Sequence, residues 1–331
     1  MEAANRLNED GLVLSGCYAE TMEEIVRPGL KACRTDEMVK GFEDRPLFVS
    51  RFDAEAPRGT VMIVHGFTES VEKYSEVIYS LLRNHWSVLA YDQRGHGRSW
   101  RSEKTGEDAS LTHVDHFEEY EKDLEILCDG LLRGMPQPWM LFSHSMGGAV
   151  SGLFLESRGD VFERAVFCAP MIAPRRNGIP LPAAKALCDT ERKLGRGAKR
   201  MLGSKPYDGP ERFEESAASG KERFDWYDAV KASTKAFQNN GPSYSWVGEA
   251  LRVTEQLLRE GGPESIRIPV RVYGAEQDGS VLQEEQILFA ERLPNGQREV
   301  VPGSRHEIYR SPDAVLFPWW HRILAFYGGE A

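Results

Sequence analysis

The chain has no run of apolar residues long enough to span a bilayer, and its first ten residues, Met1 to Asp10, are polar and acidic with no apolar leader core. These absences lead us to expect a soluble, cytoplasmic protein, with peripheral attachment to a membrane surface left open. No Cys-x-x-Cys pair occurs, and the five cysteines (Cys17, Cys33, Cys128, Cys168 and Cys188) are scattered and odd in number. That pattern offers neither a disulfide framework nor a cysteine zinc site, and it reads as small buried hydrophobes in a reducing compartment. Basic charge is short as well. The formal net charge of −10 argues against non-specific binding of nucleic acid. There is no Walker lysine loop. Gly95-x-Gly97 lacks the third glycine of a dinucleotide fingerprint, because Trp100 stands there, and it follows the second core strand instead of the first. His113 and His116 lack a paired carboxylate motif with zinc spacing and read as surface residues. We therefore expect no cofactor and no metal.

What is present is a rhythm. The chain has 331 residues, of which 41% are hydrophobic, enough for a large α/β domain with an insertion. Residues 1–45 are of mixed polarity and read as an N-terminal extension packed on the core. Pro46 to Phe52 reads as a half-buried strand, and Thr60-Val61-Met62-Ile63-Val64 as a buried parallel strand. An amphipathic helix is expected from about 71 to 83, a buried strand over 87–92, and a helix over about 115–132. Strands follow at 139–142 and 165–170. This repeated alternation is the mark of a mostly parallel sheet with helices on both faces. From about Met171 to Gly248 the buried-strand pattern stops and the chain reads as helical and aromatic-rich. The alternation returns with a strand near 268–274, a helix at about 283–292, a strand at 298–302 and a last helix at about 312–327. The expected division is a core of 1–170 and 249–331 interrupted by a helical insertion, 171–248.

The stretch that organises the chain is Leu141-Phe142-Ser143-His144-Ser145-Met146-Gly147-Gly148-Ala149. A short apolar strand passes at once into a helical pattern, and Ser145 stands between them with small residues two positions away on each side. That is the layout of a nucleophile elbow, where a sharp strained turn presents a serine hydroxyl. The usual Gly-x-Ser-x-Gly is altered here, with Ser143 in the place of the first glycine. Serine is small enough to avoid collision with the neighbouring strand and helix.

A serine hydroxyl is a weak nucleophile until a base takes its proton, and the base needs an orienting group. On a fold with this elbow the chain order is Ser, then acid, then His. Of the eight histidines only His306 and His321 follow a candidate acid that itself follows Ser145. His321 lies inside the last helical stretch and reads as a packed or surface residue. His306 sits in a loop just after a buried strand, where such sheets hold their reactive groups, and is the expected base. The loop after Tyr273-Gly274 offers two acids, Glu276 and Asp278. Asp278 is favoured because it lies further along the loop and beside a glycine that permits a tight turn. Two backbone N–H groups are expected to receive the oxyanion, those of Met146 and Phe67. His65 is read as structural, shaping the oxyanion loop.

These residues resemble the α/β-hydrolase family, and within it the bacterial lysophospholipases and monoacylglycerol lipases. The likeness runs from about Arg45 to Tyr327. It is carried by Val64-His65-Gly66-Phe67-Thr68-Glu69-Ser70 with Lys73-Tyr74, by Asp92 to Ser99, by Ser143 to Gly148, by Gly241-Pro242-Ser243-Tyr244-Ser245-Trp246-Val247, and by the loops around Asp278 and His306-Glu307-Ile308. The resemblance implies hydrolysis of carboxyl esters through an acyl-enzyme, with no metal or organic cofactor, and an insertion that caps the acyl pocket. It also implies a single-acyl lipid substrate, lysophospholipid or monoacylglycerol. The rival expectations are an esterase for short or aromatic esters and a non-catalytic binding protein on the same fold. From Arg175 to Lys205 the insertion carries nine basic residues against two acidic ones in a chain that is acidic as a whole. A solvated helix face accounts for this, and so does contact with an anionic lipid surface.

Overall fold

Burial of whole strands, not alternation, sets the centre of this structure. The computed structural model describes residues 6–176 and 178–329. All six residues of β3 (Gly59–Val64) are buried, as are all six of β4 (Trp86–Tyr91), because helices cover both sides of the sheet they belong to. With β1 (Arg34–Lys40), β2 (Pro46–Phe52), a short β5 (Leu111–Thr112), β6 (Trp139–His144), β7 (Arg164–Cys168), a short β8 (Gly241–Pro242), β9 (Val270–Gln277) and β10 (Gly296–Arg305), they make ten strands among the described residues. Eight form one sheet in the order β1-β2-β4-β3-β6-β7-β9-β10. Pairing is antiparallel at β1/β2 and β2/β4 and parallel from β4 to β10.

Successive side chains of a strand face opposite ways, so the sheet feeds two cores. Met62, Val64 and Leu141 pack with Leu124, Leu127, Val150 and Phe154 on one face. Val61, Ile63, Met140 and Phe142 pack with Val77, Ile78, Leu81, Trp319 and Trp320 on the other. The helices responsible are Glu118–Gly130 and Met146–Ser157 on the first side and Ser75–Arg83 and Asp313–Gly328 on the second. This is the α/β-hydrolase arrangement that the sequence implies.

The structure departs from the expectations in four places. Residues 34–40, assigned to an extension merely packed on the core, supply β1 at the sheet edge, where Arg34 pairs opposite Phe52 and Lys40 opposite Pro46. The expected insertion boundary at residue 248 falls within the helix Tyr244–Leu257. His113 is not a surface residue. It is 3% exposed, and its Nδ1 lies 2.9 Å from Ser243 Oγ, because β5 pairs with β8 and brings residue 113 against residue 243. His116 is exposed, as expected. Cys128, Cys168 and Cys188 are buried free thiols, whereas Cys17 and Cys33 are only half-buried. Among the described residues no helix is long and apolar enough to cross a membrane.

Within the insertion the helices Leu181–Lys193 and Lys221–Ser233 are joined by a long irregular segment. The second helix is held by Arg223, whose guanidinium is fully buried and reaches Glu76 at 2.8 Å and Asp313 at 2.8 Å.

Candidate active site

Four strand ends converge at the carboxyl edge of the sheet: β3 leads into His65-Gly66-Phe67, β6 into Ser145, β9 into Asp278 and β10 into His306. Ser145 is the turn itself. Its φ of +50° is one that side-chain-bearing residues rarely adopt, and its N–H donates to the Cys168 carbonyl at 3.1 Å. The helix Met146–Ser157 begins at the next residue. The turn can form only because position 147 is glycine: a Cβ there would meet the Val64 carbonyl oxygen at 2.1 Å. Position 143 is less demanding. Ser143 is fully buried, and its hydroxyl donates to the Val166 carbonyl at 3.3 Å, so the added atoms have a partner on β7.

His306 Nε2 lies 2.8 Å from Ser145 Oγ, and His306 Nδ1 lies 2.8 Å from Asp278 Oδ2. The carboxylate fixes the proton on Nδ1 and leaves Nε2 as the acceptor facing the serine hydroxyl. Burial pushes the Asp278 carboxyl up. The adjacent His306 ring and the N–H groups of Ser280 and Val281, at 2.8 and 3.0 Å from Oδ1, outweigh that and hold it below the usual aspartate range. Glu276 is elsewhere. Its carboxylate is exposed and accepts the Gly303 N–H at 2.9 Å. The structure thus brings together Ser145, His306 and Asp278 and leaves Glu276 outside. His321 is also remote, with its exposed ring beside Asp10.

Gly66 lies so close to the elbow that a Cβ on it would stand 3.1 Å from Ser145 Cβ. The Phe67 N–H that follows donates to no acceptor among the described residues. The Met146 N–H is one of the unpaired donors that every helix start presents. His65 fixes the loop. Its Nε2 accepts the Gln93 N–H at 2.9 Å, so its Nδ1 carries the proton and donates to the Gly66 carbonyl at 2.7 Å. Burial lowers the pKa of this ring and keeps it neutral.

Behind these groups lies a buried ionic network that the sequence reading did not identify. Glu69 Oε2 accepts from the Gly66 N–H and the Tyr74 hydroxyl, both at 2.6 Å, and Oε1 accepts from the Tyr309 hydroxyl at 2.6 Å and from Lys73 Nζ at 3.1 Å. Burial opposes ionisation of Glu69, but Lys73, His144 and these hydrogen bonds hold its pKa well below the ordinary value. Lys73 also contacts Glu307 at 2.5 Å, and Arg310 binds the other oxygen of Glu307. Both ends of this network touch the site: Gly66 precedes Phe67, and Glu307 follows His306.

Ser145 and His306 are only 7% and 6% exposed, and the Phe67 ring lies against that of Trp246 in the helix Tyr244–Leu257, 4.1 Å between centroids. A strained serine at a strand-to-helix turn, a histidine and a carboxylate in line with it, and free N–H donors beside it can together support acyl transfer by nucleophilic attack.

The fold and this site define an enzyme, a hydrolase of the α/β class similar to carboxylic-ester hydrolases. Residues 55–313 match the family described as serine aminopeptidase, S33, and the chain belongs to that family. It is 28% identical over 312 residues to lysophospholipase L2 of Escherichia coli strain K12, covering 89% of this chain and 87% of that one. Among solved structures it is similar to the monoacylglycerol lipase of Paleococcus ferrophilus, with a TM-score of 0.68, 20% identity, and coverage of 86% of this chain and 99% of that one. It is also similar to a thermostable carboxyl esterase from Bacillus coagulans in complex with glycerol, with a TM-score of 0.69, 18% identity, and coverage of 90% and 98%.

Proposed function

We propose that this protein hydrolyses the carboxyl ester of a single-acyl lipid, a lysophospholipid or a monoacylglycerol, through an acyl-enzyme on Ser145. In this reading His306 Nε2 takes the proton as Ser145 Oγ attacks the ester carbonyl. The Phe67 and Met146 N–H groups receive the oxyanion. His306 then protonates the departing alcohol oxygen, and the same groups activate a water that releases the fatty acid. Asp278 orients His306 and stabilises its charged form. The observation that supports this most strongly is the unbroken line of contacts from Asp278 through His306 to Ser145, at 2.8 Å each. The core is then 1–170 with 249–331, and 171–248 is a cap over the acyl pocket. Neither metal nor organic cofactor has a role in these steps.

The lipid preference draws on the likeness to lysophospholipase L2 and on the outer surface of the cap. Ile179, Leu187, Leu194 and Leu202 are 46%, 37%, 57% and 80% exposed; Leu187 lies in the helix Leu181–Lys193 and Leu194 caps its end. The basic charge there is partly spent internally: Arg192 pairs with Glu249, Arg196 with Glu191, Arg200 with Asp108 and Lys185 with Glu255. Lys193, Lys199 and Lys205 remain exposed. We read these exposed apolar and basic residues as a peripheral membrane contact. Free cysteines fit a cytoplasmic setting.

The experiment is hydrolysis across a panel of lysophosphatidyl lipids, monoacylglycerols and nitrophenyl esters of increasing chain length. Long single-acyl lipids should be the best substrates, and a preference for acetate would replace this reading with that of a short-ester esterase. Sedimentation with vesicles tests the surface: binding should rise with anionic lipid and fall with salt, and indifference to both would remove the membrane contact.

A further inference from the structure

The chain on both sides of His306 is bound to the insertion, at a point where the sheet has ceased to hold it regularly. Regular pairing of β10 with β9 ends at Val301 opposite Ala275. Beyond it the register shifts, Gly303 takes a φ of +73°, and Arg305 pairs once more, opposite Gln277. The strand therefore delivers His306 to the site without a continuous ladder behind it. A base whose Nε2 must stay 2.8 Å from Ser145 Oγ needs a further support.

Residues 213–220 of the insertion supply it. Half-buried Arg305 donates through Nη1 to three of their main-chain carbonyls, Phe213 at 3.0 Å, Ser216 at 3.3 Å and Ala218 at 3.2 Å. Its guanidinium carbon lies 5.4 Å from the centre of the Phe213 ring. Among the described residues no carboxylate pairs with it, so its charge is met by carbonyl dipoles and an aromatic face. The single helical turn Phe213–Glu215 ends here, where a basic side chain can take up the last carbonyls. On the other side of His306, the Glu307 N–H donates to the Ala217 carbonyl at 2.9 Å. The carbonyls of 213, 216, 217 and 218 thus all turn toward the two neighbours of His306. The contact continues along the chain. The Gly220 N–H donates to the Arg310 carbonyl at 2.8 Å, and Arg310 Nη2 donates to the carbonyls of Arg223 at 3.0 Å and Phe224 at 3.3 Å. Glycine permits this approach, because a Cβ at 220 would stand 2.8 Å from the Arg310 carbonyl oxygen. The insertion side of the contact is itself anchored to the core, through buried Arg223 on Glu76 and Asp313.

We infer that Arg305 is a positioning residue for His306, clamping the base loop to residues 213–218 so that the insertion sets the reach from His306 to Ser145. The inference rests on the ester-hydrolase reading above and gives the insertion a part in the chemistry, besides covering a pocket. Arg305 does not touch the reacting atoms. Without the clamp both flanks of His306 are free to shift, and a displacement of about 1 Å in a reacting group can cost about 10²-fold in rate. The loss falls on proton transfer, so it is shared by long and short esters.

The test is Arg305→Met, with Arg305→Lys and Arg212→Met as comparisons. Lysine keeps a cation that can donate to the same carbonyls. Arg212 lies in the same segment, 72% exposed and paired with Glu215. Per folded molecule, Arg305→Met should lower kcat at least about tenfold on nitrophenyl acetate and on a long-chain nitrophenyl ester, with KM within about threefold. Fluorophosphonate labelling of Ser145 should slow by a similar factor. Arg305→Lys should recover most of the loss, and Arg212→Met should match the unaltered protein. An unchanged kcat per folded molecule, a change confined to KM, or no recovery in Arg305→Lys would overturn the assignment. If Arg305→Met does not fold, Gly220→Ala presses on the same contact from the insertion side; it should show the same fall in kcat, and full activity would reject the clamp. If the unaltered protein cleaves no ester and takes up no probe, the hydrolase reading fails separately. Amide hydrogen exchange then reads the clamp alone. The Glu307 and Gly220 amides should exchange faster in Arg305→Met than in the unaltered protein, and equal exchange rejects it.

Discussion

Glu69 and His144 face each other across 3.2 Å in the interior, and the opposite ring nitrogen of His144 lies 3.2 Å from the backbone carbonyl of His306. Both neighbours of the ring are acceptors, so the pair is a buried tie between the loop that carries the Phe67 N–H and the loop that carries the proposed base. Neither residue reaches the reacting atoms. They act as positioning residues, and the expected signature is a loss of rate and not of binding. Glu69→Gln should lower kcat by up to about 10²-fold, the scale of a small misplacement of reacting groups, with KM changed much less. An equal fall in folded fraction, with the remaining folded enzyme fully active, would reduce Glu69 to a purely structural part.

The two acids near β9 give the sharpest comparison. Asp278→Asn removes the charge that holds the proton on His306 Nδ1 and should lower kcat by about 10⁴-fold, as loss of a triad acid does. Glu276→Gln keeps an acceptor for the exposed Gly303 N–H and should leave turnover within about threefold, the range expected of a surface change. Steady-state kinetics on one ester decides, and the reverse ranking would make Glu276, not Asp278, the orienting acid.

The elbow makes opposite predictions for its two small residues. Ser143→Gly loses a hydrogen bond to Val166 and gains backbone freedom in a strand, at a cost of about 1–2 kcal/mol, with activity kept. Gly147→Ala places a methyl 2.1 Å from the Val64 carbonyl oxygen, which is backbone and cannot swing aside. It should destabilise the protein by more than about 3 kcal/mol or disable the turn. Urea unfolding of both variants, with activity measured alongside, checks the contrast.

Acid stability should report the buried carboxylates. Burial works against ionised Glu307, but Lys73 and Arg310 bring its pKa from an ordinary value of 4.5 down to about 2. A depressed folded-state pKa stabilises the native state above the unfolded value, and that contribution fades as pH falls. Stability should therefore decline from near pH 4.5 toward pH 2, with Asp278 and Glu69 acting in the same direction. In Glu307→Gln the decline should be shallower. An unchanged slope in urea titrations across that range would mean that Glu307 binds its proton equally well in the native and unfolded protein.

The strands and the three groups in line were legible because each is announced locally. An apolar run such as Trp139 to Phe142 needs no knowledge of its neighbours, and Ser145 and His306 follow directly on the strands Trp139–His144 and Gly296–Arg305. What was hidden depends on pairs distant in the chain. The contact of Tyr309 with Glu69 spans 240 residues, and no periodicity marks it. The one available signal was a glutamate and a lysine, Glu69 and Lys73, four apart just beyond the oxyanion loop, a spacing that fits a solvated helix equally well. His113 was misread because strands of two residues, β5 and β8, are too short to see in a sequence, yet their pairing is what buries it. The basic stretch overstated the free charge of the cap because the acids that pair with it, Asp108, Glu249 and Glu255, lie outside it.

The central claim is that Ser145 is an activated nucleophile, and covalent labelling measures that most directly. A fluorophosphonate probe, followed by mass spectrometry of the digested protein, should place one adduct on the peptide containing Ser145. The adduct should be absent in Ser145→Ala and strongly slowed in His306→Ala. A native protein that takes up no probe, or a Ser145→Ala variant that takes up as much as the native one, would contradict the account.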